Sequence, residues 1–148
     1  MIFTAKNFEE LSAGEIYEIL KARCTVFLME QGIVCLDMDG VDYHALHCCL
    51  TEEGKVLAYL RAYPSADDPD TVMLGRVLTL HHGIGMGREL MVQSLRAVER
   101  CLPCKRIALH AQSHAAGFYE KFGFRVTSEE FLEEGVPHVS MTLEREDC

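Results

Sequence analysis

No apolar run reaches the roughly 18 residues that a membrane-spanning helix needs, so the 148-residue sequence predicts none. The first ten residues, MIFTAKNFEE, contain acidic side chains and no apolar core of the kind a secretory signal carries, and no such signal is expected. Internal repeats, low-complexity tracts and interdomain linkers are also missing. The length suits one domain over 1–148 with a sizeable core. Basic residues are scarce, 14 Lys and Arg against 23 Asp and Glu, for a formal net charge of −9. That balance argues against general affinity for nucleic acid or anionic membranes, and neither is expected as a partner. It leaves room for a cationic substrate. Acid concentrates at 67–70 and 129–134, and each run reads as a solvated loop.

The cysteines are mostly a negative finding. There are seven, an odd count in a chain with no secretion signal, which suits reduced thiols in a cytoplasmic protein. Cys101 and Cys104 form a Cys-x-x-Cys, but at the C-terminal end of an expected helix. Redox pairs favour a helix N-terminus, where the dipole lowers the thiol pKa. No second such pair and no His-x-x-x-His accompanies it, so no metal is expected. Cys48 and Cys49 alternate across an expected strand, which puts at least one in the core.

The order of elements can be read coarsely. Ile2 and Phe3 open a strand or extended arm. Ser12 caps a helix, with Glu15 three residues on completing a capping box. Ile16, Ile19, Leu20, Cys24 and Phe27 follow at helical spacing as its buried stripe, ending near Gln31 and Gly32. Strands are predicted over 45–50 and 56–63, joined by a turn at 52–54, and over 72–80. A helix starts at Ile84 or Gly85 and runs to Cys101. Then come a strand over 106–111, a helix over 114–122 stopped by Gly123, and terminal strands over 124–128 and 136–143.

The densest signal lies at 74–88, LGRVLTLHHGIGMGR. An apolar strand runs straight into His82-Gly83-Ile84-Gly85-Met86-Gly87, and a helical pattern with Leu90, Met91, Leu95 and Val98 on one side follows. Glycines allow a tight turn and close approach of a ligand to backbone N–H groups. A helix N-terminus adds unpaired donors and partial positive charge, so the expected ligand carries phosphate. Arg88-Glu89 after the last glycine is not the Lys-Ser or Lys-Thr of a P-loop. The alternating Gly-x-Gly-x-Gly is not a dinucleotide fingerprint either, and it lies mid-chain rather than in a first βα unit.

The alternation resembles motif A of the GNAT acyltransferases, Arg/Gln-x-x-Gly-x-Gly/Ala. Gly85 and Gly87 fall on its glycines, and His82 stands where the family has Arg or Gln. The link from strand to glycines is about two residues short of the family norm. A second segment, 115–124, AAGFYEKFGF, resembles motif B, with Tyr119 on its helix tyrosine, Gly123-Phe124 on its helix stop, and Gln112 where many members have Asn. Three more runs, RCTVFLMEQ at 23–31, DMDG at 37–40 and EEGVPHVSM at 133–141, are similar to the ElaA-type branch.

The resemblance implies an α/β (α+β) fold of the acyl-CoA N-acyltransferase type, with a mixed, mainly antiparallel splayed sheet flanked by helices. It implies an N-acetyltransferase that takes its acetyl group from acetyl-CoA and passes it to a small-molecule or peptide amine. A homodimer is left open. On that pattern Val77, Leu78, Thr79 and Leu80 pair with the pantetheine arm, and a main-chain N–H near Leu80 serves the oxyanion. The pyrophosphate sits on His82, Gly83, Ile84, Gly85, Met86, Gly87 and Arg88, with Gln112 nearby. Tyr119 protonates the leaving thiolate, a role that suits a phenol of ordinary pKa near 10. No general base stands out among Glu30, His47, His110 and His138. Arg76, odd in an apolar strand, is expected to pair with Glu30 or Asp39 or to reach the acceptor side, where Glu30, His110 and His138 are the other candidates. The competing expectation is an acyl-CoA-binding or regulatory module with little or no transferase activity.

Overall fold

The structure is a computed structural model that describes residues 1–81 and 83–145. Its centre is an eight-stranded sheet in the order β1-β2-β3-β4-β5-β8-β6, with β7 pairing on β8. The strands are β1 (Ile2–Asn7), β2 (Leu46–Glu52), β3 (Lys55–Pro64), β4 (Thr71–Thr79), β5 (Arg106–Gln112), β6 (Arg125–Val126), β7 (Phe131–Glu133) and β8 (Val136–Glu144). All pairings are antiparallel except β4 with β5. The mixed, mainly antiparallel sheet expected from the sequence is therefore the one found.

Helices cover both faces because the strands alternate. Cys48 points to the side of α2 (Met86–Cys101), among Leu60, Leu90, Met91 and Ile107. Cys49 points to the side of α1 (Ala13–Arg23), among Ile19, Tyr59 and Leu78. Both thiols are core residues, and burial pushes both up to about 12. Leu90 and Met91 are fully buried, and each such side chain contributes about 1.5–3 kcal/mol of burial free energy. Ser12 and Glu15 make the predicted capping box. Glu53 and Gly54, at φ 51° and 78°, make the two-residue hairpin turn between β2 and β3.

Past Arg23 the first helix widens into a π-helical stretch, Cys24–Glu30. The buried face runs on at regular helical spacing through Ile19, Ala22, Arg23 and Val26. Arg23 and Val26 turn inward, while Cys24, expected in the apolar stripe, is exposed. The motif B helix is also shorter than predicted: a 3-10 turn, Ser113–Ala115, leads into α3 (Ala116–Glu120).

Two departures from regular pairing shape the molecule. β4 and β5 pair only from Thr71↔Arg106 to Leu74↔Leu109, and beyond Leu74 they part. At the same point β4 bulges: Gly75 faces Arg61 and Leu78 faces Tyr59, so Arg76 and Val77 share one partner position. Arg76 takes a left-handed φ of 52° to do so. The second departure corrects the sequence reading of 129–134 as a solvated loop. Part of it is β7, hairpinned onto β8 through Glu134 and Gly135 at φ 51° and 74°.

Candidate active site

The parted strands enclose a cleft of about 670 Å³. One wall is the bulged part of β4, the other is β5 with β8 and β7 behind it, and α3 and the loop after the π-helical stretch close its ends.

On the β4 wall, Val77 lines the cleft and Leu78 is buried in the α1-side core. Leu80 needs a correction. Its N–H donates to the Leu57 carbonyl at 2.8 Å, which removes it as an oxyanion donor. The pairing of Leu78 with Tyr59 and of Gly75 with Arg61 leaves the bulge residues Arg76 and Val77 outside the β3 ladder, at the edge where β5 has departed.

The glycine turn leads from β4 into α2. His82 lies outside the described residues. Gly83 and Gly85 both take positive φ, 78° and 79°, and nothing lies within 4 Å of a Cβ built on either, so the outer face of the turn is open. Gly85 is the N-cap of α2 and no side chain caps the helix. The first helical bond runs from the Glu89 N–H to the Gly85 carbonyl, so the N–H groups of Met86, Gly87 and Arg88 precede it. The Ile84 side chain is exposed and that of Met86 buried. A Cβ on Gly87 would come within 3.2 Å of Phe118, so this glycine sets the close packing of α2 on α3.

Tyr119 lines the cleft from α3 while its ring packs edge-on to Phe118 and Phe124. Burial pushes its hydroxyl up to about 12. Gln112 lines the cleft and donates to Gln31 Oε1 at 2.9 Å. Glu30 is exposed at the end of the π-helical stretch and does not line the cleft. His47 does not either. It is buried, with Nε2–H donating to the Asp42 carbonyl at 2.9 Å and Nδ1 accepting from the Tyr59 hydroxyl at 2.7 Å, and burial lowers its pKa.

His110 and His138 do reach the cleft, and a residue passed over in the sequence, Glu133, joins them. Strand register brings the three together. His110 is the first β5 residue past the last β4 pair, Gln112 pairs with His138 on β8, and Phe131 on β7 pairs with the same His138. Glu133, two residues after Phe131, shares its face. His110 Nδ1 lies 2.9 Å from Glu133 Oε1, and His138 Nε2 lies 3.5 Å from Glu133 Oε2. His138 Nδ1–H donates to the Val136 carbonyl at 2.7 Å. The available signal was Glu134-Gly135 between Phe131-x-Glu133 and Val136-x-His138, a short hairpin pattern that the density of acid obscures.

Arg76 belongs to a second ionic group, beneath the cleft. Arg23 is fully buried and holds Asp37 and Asp42, with Nε to Asp37 Oδ2 at 2.9 Å and Nη1 to Asp42 Oδ1 at 2.7 Å. Arg61 holds Asp39 with two bonds, 2.9 and 2.7 Å, and Asp42 at 3.0 Å. Arg76 binds Asp37 at 2.8 Å and stands 3.5 Å from Asp39. Asp39 was one of its expected partners; Asp37 is the closer one. The Arg61 hydrogen bonds hold the Asp39 carboxyl down at about 2, against the cost of burial. Among the described residues no cluster of His, Cys, Asp and Glu is arranged to hold a metal ion.

Comparison with known proteins places this architecture. A family model described as acetyltransferase (GNAT) domain matches residues 37–145. The chain is 35% identical over 142 residues to protein ElaA of Escherichia coli, covering 93% of each. Among solved structures, an acyl-CoA N-acyltransferase from Pseudomonas aeruginosa aligns with TM-score 0.89 at 32% identity, over 97% of this chain and 99% of that one. The crystal structure of Escherichia coli ElaA aligns with TM-score 0.89 at 33% identity and the same coverage.

Proposed function

Because the chain belongs to the acetyltransferase (GNAT) family, in its ElaA-type branch, we propose that this cleft is where an acetyl group passes from acetyl-CoA to an amine. Membership makes the protein an acyl-CoA-dependent N-acyltransferase; acetyl as the group and the roles of individual residues are our reading. The observation that carries it is the coincidence of three features: strands that part, a bulge facing the gap, and an uncapped helix N-terminus at the end of the bulged strand.

Acyl-CoA supplies an activated thioester, a flexible arm and a pyrophosphate. The chain fits each. The Met86, Gly87 and Arg88 N–H groups, backed by the dipole of the 16-residue α2, suit the pyrophosphate. The open faces of Gly83 and Gly85 give it room. The edge of β4 over Val77 and Thr79 suits the arm, because β5 is no longer there to pair with it. Main-chain N–H groups of the bulge, at Arg76 and Val77, take the oxyanion role in place of Leu80, since preorganised donors act most strongly where water is excluded.

Tyr119 holds its proton at neutral pH. Pushed up to about 12, its hydroxyl is a weaker acid than the phenol of ordinary pKa that the sequence suggested. A thiol ordinarily ionises near 8.5, so outright proton transfer from Tyr119 to a thiolate is uphill. Tyr119 therefore works by donating a hydrogen bond to the departing sulfur and relaying a proton that originates on the amine.

We read residues 1–148 as one such domain and place it in the cytoplasm. The support is the matched span of the family model and the lack, among the described residues, of a disulfide and of any helix long and apolar enough to cross a membrane. The test is twofold. Acetyl-CoA should raise the melting temperature, as a ligand that binds only the folded state must, and thiol release should follow addition of an amine from a panel of small amines, aminoglycosides and peptides. Stabilisation with no release for any amine would favour the binding-module reading instead.

A further inference from the structure

We propose that Glu133 and His110 form the general base of the reaction and select a cationic alkylammonium acceptor; the assignment rests on the transferase reading above. A carboxylate can only accept a hydrogen bond, so the 2.9 Å contact with Glu133 Oε1 fixes the hydrogen of neutral His110 on Nδ1. The lone pair is then on Nε2. The ring cannot swing freely, because Phe131 packs edge-on against it with centroids 5.2 Å apart. His110 is half-exposed, lines the cleft, and begins the part of β5 that has left β4, so it flanks the gap across from the bulge.

Charge around the couple favours a cation. Asp37 and Asp39, the other acids lining the cleft, are bound to Arg23, Arg61 and Arg76. Glu133 and Glu134 line it from β7 and the turn beyond, and among the described residues the ion pairs of Glu133 are with His110 and His138. Besides Asp37, Asp39 and Glu134, the titratable and charged groups that line the cleft with His110 are Glu133 from β7, His138 from β8, Arg61, Tyr63 and Arg76 from β3 and β4, and His114 and Tyr119 at its end. An ammonium can thus be drawn in by Glu133 and Glu134 and presented to His110 Nε2.

The step balances as follows. His110 Nε2 takes one proton from R–NH3+ and passes it to solvent through its exposed edge. The freed amine attacks the thioester carbon, the C–N bond forms and the C–S bond breaks. Nitrogen's second proton ends on sulfur by way of the Tyr119 hydroxyl. The products are an N-alkyl amide, free thiol and one released proton.

The test compares two nucleophiles on wild type, His110→Gln and Glu133→Gln, with acetyl-CoA as donor. Alkylamines, polyamines and a lysine-bearing peptide are cations at neutral pH and need a base. Methoxyamine is uncharged there and does not. His110→Gln should lose about 10²-fold in kcat/KM for the cationic amines, with the acidic limb of the pH profile gone, and only a few-fold for methoxyamine. Glu133→Gln should lose in the same direction and raise KM for the cations. Acetyl-CoA stabilisation should be unchanged in both variants. Equal losses for the two nucleophile classes, or a wild-type profile in His110→Gln, would overturn the assignment. A wild type that is stabilised by acetyl-CoA yet acetylates no cationic amine overturns it too. A wild type that acetyl-CoA does not stabilise fails the transferase reading itself, and the two failures are thereby distinguished.

Discussion

Two ionic clusters border the same cleft and are built from similar parts, yet they are opposites. The Arg23, Arg61 and Arg76 group with Asp37, Asp39 and Asp42 closes on itself almost completely: two of the guanidinium groups are buried, every carboxylate is spoken for, and of its buried side-chain atoms Arg61 Nε is the one left over among the described residues. The Glu133, His110 and His138 group is about half-exposed at Glu133 and His110, and the bond to Glu133 leaves the neutral His110 ring with its lone pair on Nε2. The first pins the 37–42 loop to the bulge of β4 and so holds the cleft open. The second has a lone pair to spend. Charge alone does not distinguish a structural site from a chemical one. What distinguishes them is whether the hydrogen-bonding capacity is used up within the protein.

The largest effect should come from opening the closed cluster. Arg23→Met leaves Asp37 and Asp42 partly buried without their main partner, and breaking a buried pair in this way costs about 3–5 kcal/mol. We expect a marked fall in the urea midpoint, with the loss of ordered structure measured by circular dichroism. A variant as stable as wild type would mean that the cluster is dispensable to the fold. Next is Tyr119→Phe, which conserves the packing on Phe118 and Phe124. Its kcat should fall about 10²-fold if the hydroxyl relays the proton, while acetyl-CoA affinity from calorimetry stays near wild type. An unchanged kcat under chemistry-limited conditions would leave Tyr119 a packing residue.

How far the sequence announces each cluster differs for physical reasons. Capping at Ser12, the Glu53-Gly54 turn and the glycine-rich entry to α2 are local devices, written in adjacent residues, and they appear where expected. Arg23 was hidden because a charged residue beside an apolar stripe reads as solvated, and its burial depends on Asp37 and Asp42, which lie 14 and 19 residues away. Of Asp37, Asp39 and Asp42, the sequence reading paired only Asp39, with Arg76, because the partners of all three lie on α1, β3 and β4, up to 39 residues away. Glu133 was hidden in an acidic run. Its strand is three residues long and exists only because β8 offers an edge. The place of Tyr119 at the cleft and of the glycine turn at the head of α2 was legible because motif spacing carried it. The acceptor side was not, because register between distant strands assembles it.

Acid should separate the clusters further. Asp39 is held at about 2, below the ordinary 3.8, so the unfolded chain binds its proton more readily than the folded one. Its contribution is fully present above the ordinary carboxylate range and is lost as pH falls through about 2. Asp42 is shifted in the same direction, with Arg23 and Arg61 overcoming the cost of burial. Stability to urea should therefore fall between those limits, and Asp39→Asn should shrink that acid-induced loss while lowering stability at neutral pH. A wild-type urea midpoint that is flat across this window would show that the guanidinium bonds to Asp39 contribute nothing to folding.

The smallest effect is expected at the one motif that invited a third kind of chemistry. Cys101 ends α2 and is exposed, whereas Cys104 is buried in the α2-side core beyond the helix end. No disulfide joins them, and neither lines the cleft. A redox pair needs a thiolate favoured by a helix N-terminus or a nearby cation and open to attack. Here the exposed thiol sits at the negative end of a helix dipole, and the other is packed against apolar side chains. By the rule drawn from the two ionic clusters, Cys104 has been spent on packing and Cys101 has been given nothing to activate it. Cys101→Ser with Cys104→Ser should leave acetyl transfer within a few-fold, at some cost in melting temperature from placing a hydroxyl in the Cys104 pocket. The single Cys101→Ser variant separates the causes, because it should match wild type in both respects. Loss of activity in that single variant, with melting temperature unchanged, would give the thiol a chemical role and would break the rule at its simplest case.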